Sequence, residues 1–304
     1  MSIKVSVVLP TYNVRDLLAE AIASVCGQTF PDWELLVVDD GSSDDSVDLA
    51  ASWPDARIRV IRSEHTGNPA LLRNRAVALA RGDYVAFIDA DDLWEPEKLQ
   101  LQIDGVEDPG VRYGWCYSNT LPLDQFGHEV TRPEALTWTP WSGMILRQLL
   151  LLEARVPASS VVVRRNVFNS AGGFDPEAVP VEDYDLWFRL APGHEALAID
   201  RRLCRSRSRP AAFQADRVAA HRAWQRAYRR AGHSSSSEEI RAICREMTHR
   251  HGLSEALHLA ARRQRAAALR VLLRAIPEAI VLRVGWRALG LTLARIVHPS
   301  GQSV

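Results

Sequence analysis

Three aspartates stand close together in the run Asp89–Asp92, which follows the apolar segment Tyr84–Ile88. Carboxylate oxygens are hard ligands, and a D-x-D arrangement at the end of a strand suits a divalent cation such as Mg²⁺ or Mn²⁺. Such a cation usually takes one or two protein carboxylates and completes its coordination with phosphate oxygens and water. The run therefore predicts a site for a metal-bound diphosphate. The alternative is an acidic turn that caps a helix beginning near Pro96, because short acidic motifs are common.

Two further acidic runs could also do chemistry. Asp39–Ser42 offers carboxylates that could accept hydrogen bonds from a nucleobase N–H or a ribose hydroxyl, but Asp-Gly is also ordinary turn chemistry. Glu182–Asp185 could supply a general base, or it could be only a helix N-terminus, where acidic side chains are favoured by the helix dipole. Taken alone, neither run decides between its two interpretations.

The elements that must position these runs alternate between β-branched segments and helix-like segments. Strands are predicted at Val5–Leu9, Glu34–Val38, Ile58–Ile61 and Tyr84–Ile88, and helices at residues 15–26, 44–52 and 69–81. This alternation predicts an α/β fold with a mostly parallel, Rossmann-like sheet flanked by helices. Ligands of open α/β sheets bind outside the carboxyl ends of the strands, so the polar residues there are expected at one edge of the sheet.

The pattern is weaker after residue 100. It predicts a helix at Met144–Glu153, a strand at Ser160–Val163 and a loop at Gly172–Asp175. From about residue 212 the chain is rich in Ala, Arg and Leu, which predicts helices with breaks at Ser234–Ser237 and Pro277. We therefore predict one domain over residues 1–210 and a basic, mainly helical C-terminal region over residues 211–304.

The composition excludes several classes of protein. Hydrophobic residues make up 47% of the chain and charged residues 24%, which argues against intrinsic disorder. The four cysteines stand far apart without a CxxC pair, so no disulfide framework or thiolate zinc site is indicated. The N-terminus lacks an apolar signal segment, and no apolar run reaches the roughly 18 residues of a membrane span. A cytoplasmic location is expected.

The net charge of zero hides an uneven distribution. Residues 1–200 carry 16 Lys and Arg against 31 Asp and Glu, a net charge of −15, whereas residues 201–304 carry 21 Arg against 6 acids, a net charge of +15. A last helix from about Leu282 to His298 would be amphipathic and basic. It could lie on the inner face of an anionic membrane, or it could pack against the acidic body or a second copy. Nucleic-acid binding is not expected, because no known binding module is present.

Six motifs occur in a fixed order along residues 3–210. They are Val5–Asn13, Gln28–Phe30 with Glu34–Ser42, Arg73-Asn74, Gly82–Tyr84 with Phe87–Asp92, Gly172–Asp175, and Glu182–Trp187. Together they resemble the family 2 glycosyltransferases, which are inverting enzymes of the GT-A fold. The resemblance implies a nucleotide-sugar donor, with UDP-sugars favoured, and a divalent cation, Mn²⁺ or Mg²⁺. It also implies that residues 1–100 bind the donor and residues 101–210 the acceptor.

The resemblance further implies roles for individual residues at the nucleoside. Pro10 and Tyr12 would line the pocket for the base. Asp40 would contact the base or the ribose, and Asp39 would support that loop.

At the diphosphate, Arg73 matches the family's basic position, although Arg75 stands close enough to take its place. Asp89 would approach the ribose. Asp91 would hold the metal, with Asp92 as a neighbouring ligand or support.

Asp183 matches the position of the general base, which would deprotonate an acceptor hydroxyl as that hydroxyl attacks the sugar. No Gln-x-x-Arg-Trp run, the mark of processive synthases, occurs in the sequence. The resemblance therefore favours non-processive transfer to a glycan or lipid-linked acceptor in cell-surface polysaccharide or lipopolysaccharide assembly.

Two other interpretations compete with this one. A sugar-nucleotide pyrophosphorylase also binds metal and nucleotide, but that class has a Gly-rich loop after its first strand, where this chain has Pro10–Asn13. A non-catalytic nucleotide-binding or glycan-binding module would keep the pocket without turnover. The cluster of His249, His251 and His258 has no spacing suited to a metal and is interpreted as surface histidines on a basic helix.

Overall fold

The computed structural model describes residues 3–110, 112–130, 137–208 and 216–282, with side chains as far as residue 274. The chain divides into two compact units, residues 1–176 with 182–210 and residues 177–181 with 211–304. The described strands are β1 Val5–Thr11, β2 Trp33–Asp39, β3 Ile58–Arg62, β4 Tyr84–Phe87, β5 Leu93–Trp94, β6 Trp115–Leu123, β7 Val161–Arg164 and β8 Ala196–Arg207. The described helices are α1 Arg15–Cys26, α2 Ser46–Ala51, α3 Pro69–Ala78, α4 Lys98–Val106, α5 Leu146–Leu150, α6 Arg165–Ser170, α7 Glu182–Leu190, α8 Arg217–Ser234, α9 Glu238–Ala261 and α10 Arg265–Leu282.

The strands of the first unit form one sheet in the order β3-β2-β1-β4-β7-β6-β8-β5. β1 to β4 are mutually parallel, and β7 runs antiparallel to both of its neighbours, β4 and β6. β8 is parallel to β6, and the short β5 lies antiparallel at the edge. Among the described strands, only β7 and β5 run opposite to the others, so the predicted α/β fold with a mostly parallel sheet is confirmed.

Burial on both faces of the sheet explains why strands such as β2 and β4 could be predicted from the sequence. Every residue of β2 and β4 is buried, and such strands are continuous apolar runs instead of alternating ones. Helix α1 packs Leu18, Ile22 and Val25 into the same core, at the i, i+4, i+7 spacing of one helix face. Full burial stabilises each such side chain by about 1.5–3 kcal/mol. This packing fixes the strand ends that carry the polar loops.

The strands β6 and β8 are not among the predicted elements. β6 is buried over its first four residues and at Leu123 but only half-buried between them, and β8 exposes the charged residues Asp200–Arg202 at its centre. A strand that is partly exposed and interrupted by polar residues, or by Pro122, lacks the apolar run on which the prediction depends. The predicted helix at Met144–Glu153 is present as the shorter α5.

The second unit contains the helices α8, α9 and α10. The predicted break at Ser234–Ser237 is confirmed, because α8 ends at Ser234 and the side chain of Ser237 caps α9 by accepting from Ile240 N. The break predicted at Pro277 is wrong, since α10 continues through it to Leu282. A proline removes one helix hydrogen bond and can be accommodated with a kink, and α10 is held by packing against α9.

No helix among residues 3–282, within the described ranges, combines the length and apolar character that crossing a bilayer requires. The predicted amphipathic helix beyond Leu282 lies outside the described residues.

Candidate active site

The loops that follow β1 and β2 are joined by hydrogen bonds. Asn13 has a positive φ of 48°, and its Oδ1 accepts from Ser43 N at 2.8 Å. The main-chain N of Asn13 donates to Ser42 Oγ at 3.0 Å, and Asp40 N donates to Thr11 O at 2.9 Å. The structure thus brings these two polar loops together at the carboxyl edge of the sheet.

Asp39 holds its own loop in shape. Its buried carboxylate accepts from Gly41 N at 3.0 Å and from Ser42 N at 3.1 Å. Gly41 has a φ of +75°, and a Cβ there would lie 3.0 Å from the main-chain N of His65, so this position requires glycine. The hydrogen bonds of Asp39 are those of a residue that supports the loop.

Asp40 binds the loop that follows β3. Its Oδ1 accepts from Thr66 N at 2.8 Å and from Thr66 Oγ1 at 2.9 Å, and its Oδ2 accepts from Gly67 N at 2.8 Å. His65 Nδ1 lies 3.1 Å from the same Oδ2. Because the side chain is only 3% exposed and has these partners, its described role is to position the loop. Contact of Asp40 with a base or ribose stays a prediction.

An aromatic pair lies beside these loops. The rings of Tyr12 and His65 stack with centroids 4.2 Å apart and an interplanar angle of 25°. Tyr12 remains 44% exposed, and Pro10 at the end of β1 is half-buried. Base–aromatic stacking is a general way to hold a nucleobase. The pair therefore suits the predicted base pocket, to which sequence reasoning assigned Tyr12 but not His65.

The D-x-D run follows β4 at the neighbouring strand end. Asp89 N donates to Ser159 Oγ at 3.0 Å, and Asp92 Oδ1 accepts from Arg207 N at 2.9 Å. Burial, together with the charges of Asp89 and Asp91, raises the pKa of Asp92 to about 8. Asp92 is buried and hydrogen-bonded to the main chain, and its role as a neighbouring metal ligand or as a support stays a prediction.

Arg73 connects the D-x-D run to the third acidic run. Its Nη2 donates to Asp89 Oδ1 at 2.7 Å, and its Nη1 donates to Glu182 Oε1 at 2.7 Å. The Arg73 side chain is 6% exposed and that of Glu182 is 9% exposed, so this bridge is largely shielded from water. Burial alone would lower the pKa of Arg73, but the two carboxylates outweigh burial and raise it. One guanidinium therefore holds Asp89 beside the Glu-Asp pair.

The neighbouring Asn74 explains the Gly-Gly-Phe-Asp motif. Its Oδ1 accepts from Phe174 N at 2.9 Å, and its Nδ2 donates to Phe174 O at 2.7 Å. Gly173 has a φ of +70°, and a Cβ there would lie 2.7 Å from Asn74 Oδ1. Phe174 in turn packs edge-on against Phe87 of β4 at 5.0 Å. Glycine is required because α3 and this loop approach so closely.

Asp183 lies in the first turn of α7, next to the bridge. Its Oδ1 accepts from Tyr184 N at 2.7 Å. Burial and the adjacent Glu182 raise the pKa of Asp183 to about 7, with Tyr184 N and Arg73 acting in the opposite direction. A carboxylate with a pKa near neutrality is suited to accept a proton in a reaction at neutral pH.

The carboxylates of the D-x-D run fit a divalent cation. Burial is the main cause of the raised pKa of Asp92, and the negative charges of Asp89 and Asp91 add to it; a cation placed among these carboxylates would relieve that added repulsion. Among the described residues, no three His, Cys, Asp or Glu side chains are grouped as a complete metal site. Carboxylate oxygens are the protein ligands that such a cation takes, one or two at a time, together with diphosphate oxygens and water.

Comparison with known families agrees with this geometry. The sequence model described as glycosyl transferase family 2 matches residues 6–170, more than half of the chain. The chain belongs to glycosyl transferase family 2. The predicted family of enzymes is thereby confirmed.

Two curated relatives show how far the similarity of this family 2 chain extends. TuaG of Bacillus subtilis, named for teichuronic acid biosynthesis, is 38% identical over 141 residues, which cover 44% of this chain and 55% of TuaG. WfaP of Escherichia coli is 35% identical over 190 residues, which cover 61% of this chain and 69% of WfaP. Its name is UDP-Glc:alpha-D-GlcNAc-diphosphoundecaprenol beta-1,3-glucosyltransferase. The chain therefore spans just over half the length of TuaG.

Solved structures confirm the GT-A fold of this family 2 chain. The S. aureus TarS 1–349 structure in complex with UDP has a TM-score of 0.71 at 19% identity and covers 96% of this chain and 86% of that one. The mannosyltransferase PcManGT from Pyrobaculum calidifontis, in complex with GDP-Man and Mn²⁺, has a TM-score of 0.62 at 20% identity and covers 98% and 88%.

The candidate site of the family 2 chain includes residues that sequence reasoning missed. His65 and Thr66 belong to a polar run, Glu64–Gly67, that follows β3 at the same edge of the sheet. Because this polar run directly follows a predicted strand, the sequence could have indicated that it lies at the site. Ser159 is a second omission, and no local pattern marks it. The roles assigned to the predicted site residues, Asp91 and Asp183 included, stay predictions.

Proposed function

We propose that this chain transfers a sugar from a UDP-sugar to a hydroxyl of a glycan or lipid-linked acceptor, with inversion at the anomeric carbon. The observation that carries the proposal is the Arg73 bridge, which places Asp89 beside the Glu182-Asp183 pair. A transferase needs its donor-binding and proton-accepting groups at one place, and this bridge supplies that proximity.

The donor nucleoside would bind at the ends of β1, β2 and β3. The exposed Tyr12 next to His65 supports stacking of the base, while Asp40 keeps the loop of His65 in place. UDP is favoured over other nucleotides because the name of WfaP specifies UDP-Glc and TarS was crystallised with UDP. In this proposal residues 1–100 contribute the donor-binding part and residues 101–210 the acceptor-binding part.

Asp91, supported by Asp92, would hold a divalent cation, Mn²⁺ or Mg²⁺. When bound, the cation supplies positive charge against the diphosphate oxygens. The Mn²⁺ in the structure of PcManGT supports this choice of metal. The Arg73 guanidinium donates to two carboxylates, so in this proposal it positions Asp89 and Glu182. Its predicted contact with the diphosphate would form only when the donor is bound.

The transfer step assigns the proton to Asp183. The acceptor hydroxyl oxygen forms a bond to the anomeric carbon from the face opposite the diphosphate, and its proton passes to the Asp183 carboxylate. The bond from the anomeric carbon to the diphosphate oxygen breaks, and its electron pair leaves with the nucleoside diphosphate. One in-line displacement inverts the configuration, and general-base assistance is worth about 10²–10⁴ in rate.

The acceptor is proposed from the relatives. TuaG is named for teichuronic acid synthesis and WfaP for transfer to a diphosphoundecaprenol-linked sugar, which supports a role in cell-surface polysaccharide assembly. Addition of one sugar per binding event is proposed because the Gln-x-x-Arg-Trp run is absent from the sequence. With such a lipid-linked acceptor, the enzyme would act at the inner face of the membrane.

The test begins with thermal unfolding of the full chain in UDP-, GDP- and dTDP-sugars, with and without Mn²⁺. A UDP-sugar at about 100 times its Kd should stabilise the folded state by about 2.7 kcal/mol. Asp183→Asn should then bind the donor normally and lose transfer by about 10²–10⁴. Asp200→Asn makes the same chemical change on an exposed strand residue and should remain active. Stabilisation by none of the sugars, or full activity of Asp183→Asn, would overturn the proposal.

A further inference from the structure

The second unit contains a cavity of about 340 Å³ between the side chains of α8, α9 and α10. Its charged and titratable lining residues are Arg222, Arg226, Arg229, His249, Glu255 and Arg274. The arginines are exposed, whereas His249 and Glu255 are buried. The cavity therefore has a basic rim above a polar interior.

Positive charge is in excess around this cavity. Among the described lining residues, four guanidinium groups face one carboxylate, Glu255. That carboxylate is already engaged, since it accepts from Arg222 Nε at 2.7 Å and from Gln225 Nε2 at 2.8 Å. The described hydrogen bond of Arg229 goes to a neutral oxygen, Gln225 Oε1, at 3.1 Å. One carboxylate does not balance four guanidinium groups, so the remaining like charges repel one another and a further anion among them would relieve that repulsion.

His249 is a second and independent sign of a ligand. The residue is 3% exposed, and neither ring nitrogen has a hydrogen-bond partner among the described residues. The interpretation of His249 as a surface histidine is therefore wrong, because its position on α9 turns it towards the helix interface. Buried polar groups in folded proteins are nearly always paired, so an unpaired imidazole lining a cavity indicates a missing partner.

We propose that this cavity binds a phosphate or diphosphate group, separately from the nucleotide-sugar donor. Arginine forks match phosphate oxygens in paired, charge-assisted hydrogen bonds, and a neutral or protonated imidazole can donate one more. Four guanidinium groups and one carboxylate leave a formal excess of three positive charges, which suits a multiply charged phosphate better than a single carboxylate. The group could belong to a soluble anion or to the head group of a phosphorylated lipid.

The site can be tested with inorganic pyrophosphate as the probe, on the full chain and without divalent cations. Imidazole NMR signals of the ¹⁵N-histidine-labelled protein are followed during the titration, with the His249 signals assigned from a His249→Gln variant. Saturable movement of the His249 signals is expected. Absence of that movement, while pyrophosphate is in large excess, would overturn the proposal.

Matched double variants separate this site from general basic charge. Arg229→Gln with Arg274→Gln removes two rim charges and should raise the Kd for pyrophosphate by about 10²-fold, since a hydrogen bond to a charged group is worth roughly tenfold or more. Arg263→Gln with Arg270→Gln removes two exposed charges from the same unit outside the cavity lining and should leave the Kd nearly unchanged. An equal loss in both variants would mean non-specific attraction only and would overturn the proposal.

A vesicle arm identifies the source of the phosphate. If the group belongs to a lipid, phosphatidylcholine vesicles that contain phosphatidic acid should displace pyrophosphate from the cavity and reverse the movement of the His249 signals. Plain phosphatidylcholine vesicles should not. Retained pyrophosphate binding in the presence of both vesicles assigns the site to a soluble phosphate. Thermal unfolding of each variant serves to show that the folded state is kept.

Discussion

Replacing Arg73 with methionine tests the bridge on which the candidate site depends. The substitution keeps much of the aliphatic stem and leaves two carboxylates without their shared cation. Glu182, with a side chain 9% exposed, then becomes a buried charge without its partner, at a cost of about 3–5 kcal/mol. Asp89 is 41% exposed, so water screens its loss and it adds at most about 1 kcal/mol. The expected total is about 3–6 kcal/mol.

Urea unfolding followed by tryptophan fluorescence measures this loss. Combining Arg73→Met with Glu182→Gln removes the unpaired charge and should recover about 2–3 kcal/mol as coupling energy. Arg15→Met breaks the exposed pair with Asp16 and should cost less than about 1 kcal/mol. A loss below about 1 kcal/mol in Arg73→Met, or no recovery in the double variant, would refute the reasoning that the bridge is a buried ion pair.

Three other predictions concern the same site. Because Asp183 must be ionised to accept a proton and its pKa is raised to about 7, transfer should rise with pH through about 7 and level off above it. A rate–pH profile that is flat from pH 5.5 to 8 would mean an ordinary carboxyl pKa of about 4. Asp91→Asn should weaken the Mn²⁺-dependent part of nucleoside diphosphate binding, as calorimetry with and without Mn²⁺ would measure; equal affinities in the wild type under both conditions would contradict a metal site. Gly173→Ala places a Cβ 2.7 Å from Asn74 Oδ1 at a positive φ, so it should destabilise by at least about 1–2 kcal/mol in thermal unfolding, whereas Gly193→Ala, with open space around its Cβ, should cost little.

The sequence was informative where burial is complete and the signal is local. β1, β2 and β4 are apolar because both of their faces are covered, and the acidic runs after β2 and β4 mark the carboxyl edge of the sheet. Motif order supplied the family and located Arg73 and Asp183. Those parts of the fold and the site could be predicted without coordinates.

Contacts between distant segments could not be predicted in the same way. Arg73 and Glu182 are 109 residues apart, and nothing local to either one indicates that a guanidinium binds the glutamate. Asp40 was assigned to a ligand, yet its described partners, Thr66 and Gly67, come from a loop whose position depends on the pairing of β2 with β3. His249 was assigned to the surface because helix periodicity cannot say which face a neighbouring helix covers.

The antiparallel strand β7 limits where this protein can be cut into fragments that fold. It is hydrogen-bonded to β4, so residues from both proposed halves of the first unit share one continuous sheet. A fragment ending near residue 100 would lose that neighbour and expose the backbone edge of Tyr84–Phe87, four residues that are entirely buried in the intact chain. Unprotected apolar edges of this kind recruit other strands. Such a fragment should aggregate. A chimera that takes residues 101–210 from a relative should fold only if the relative's counterpart of β7 can pair with β4 of this chain.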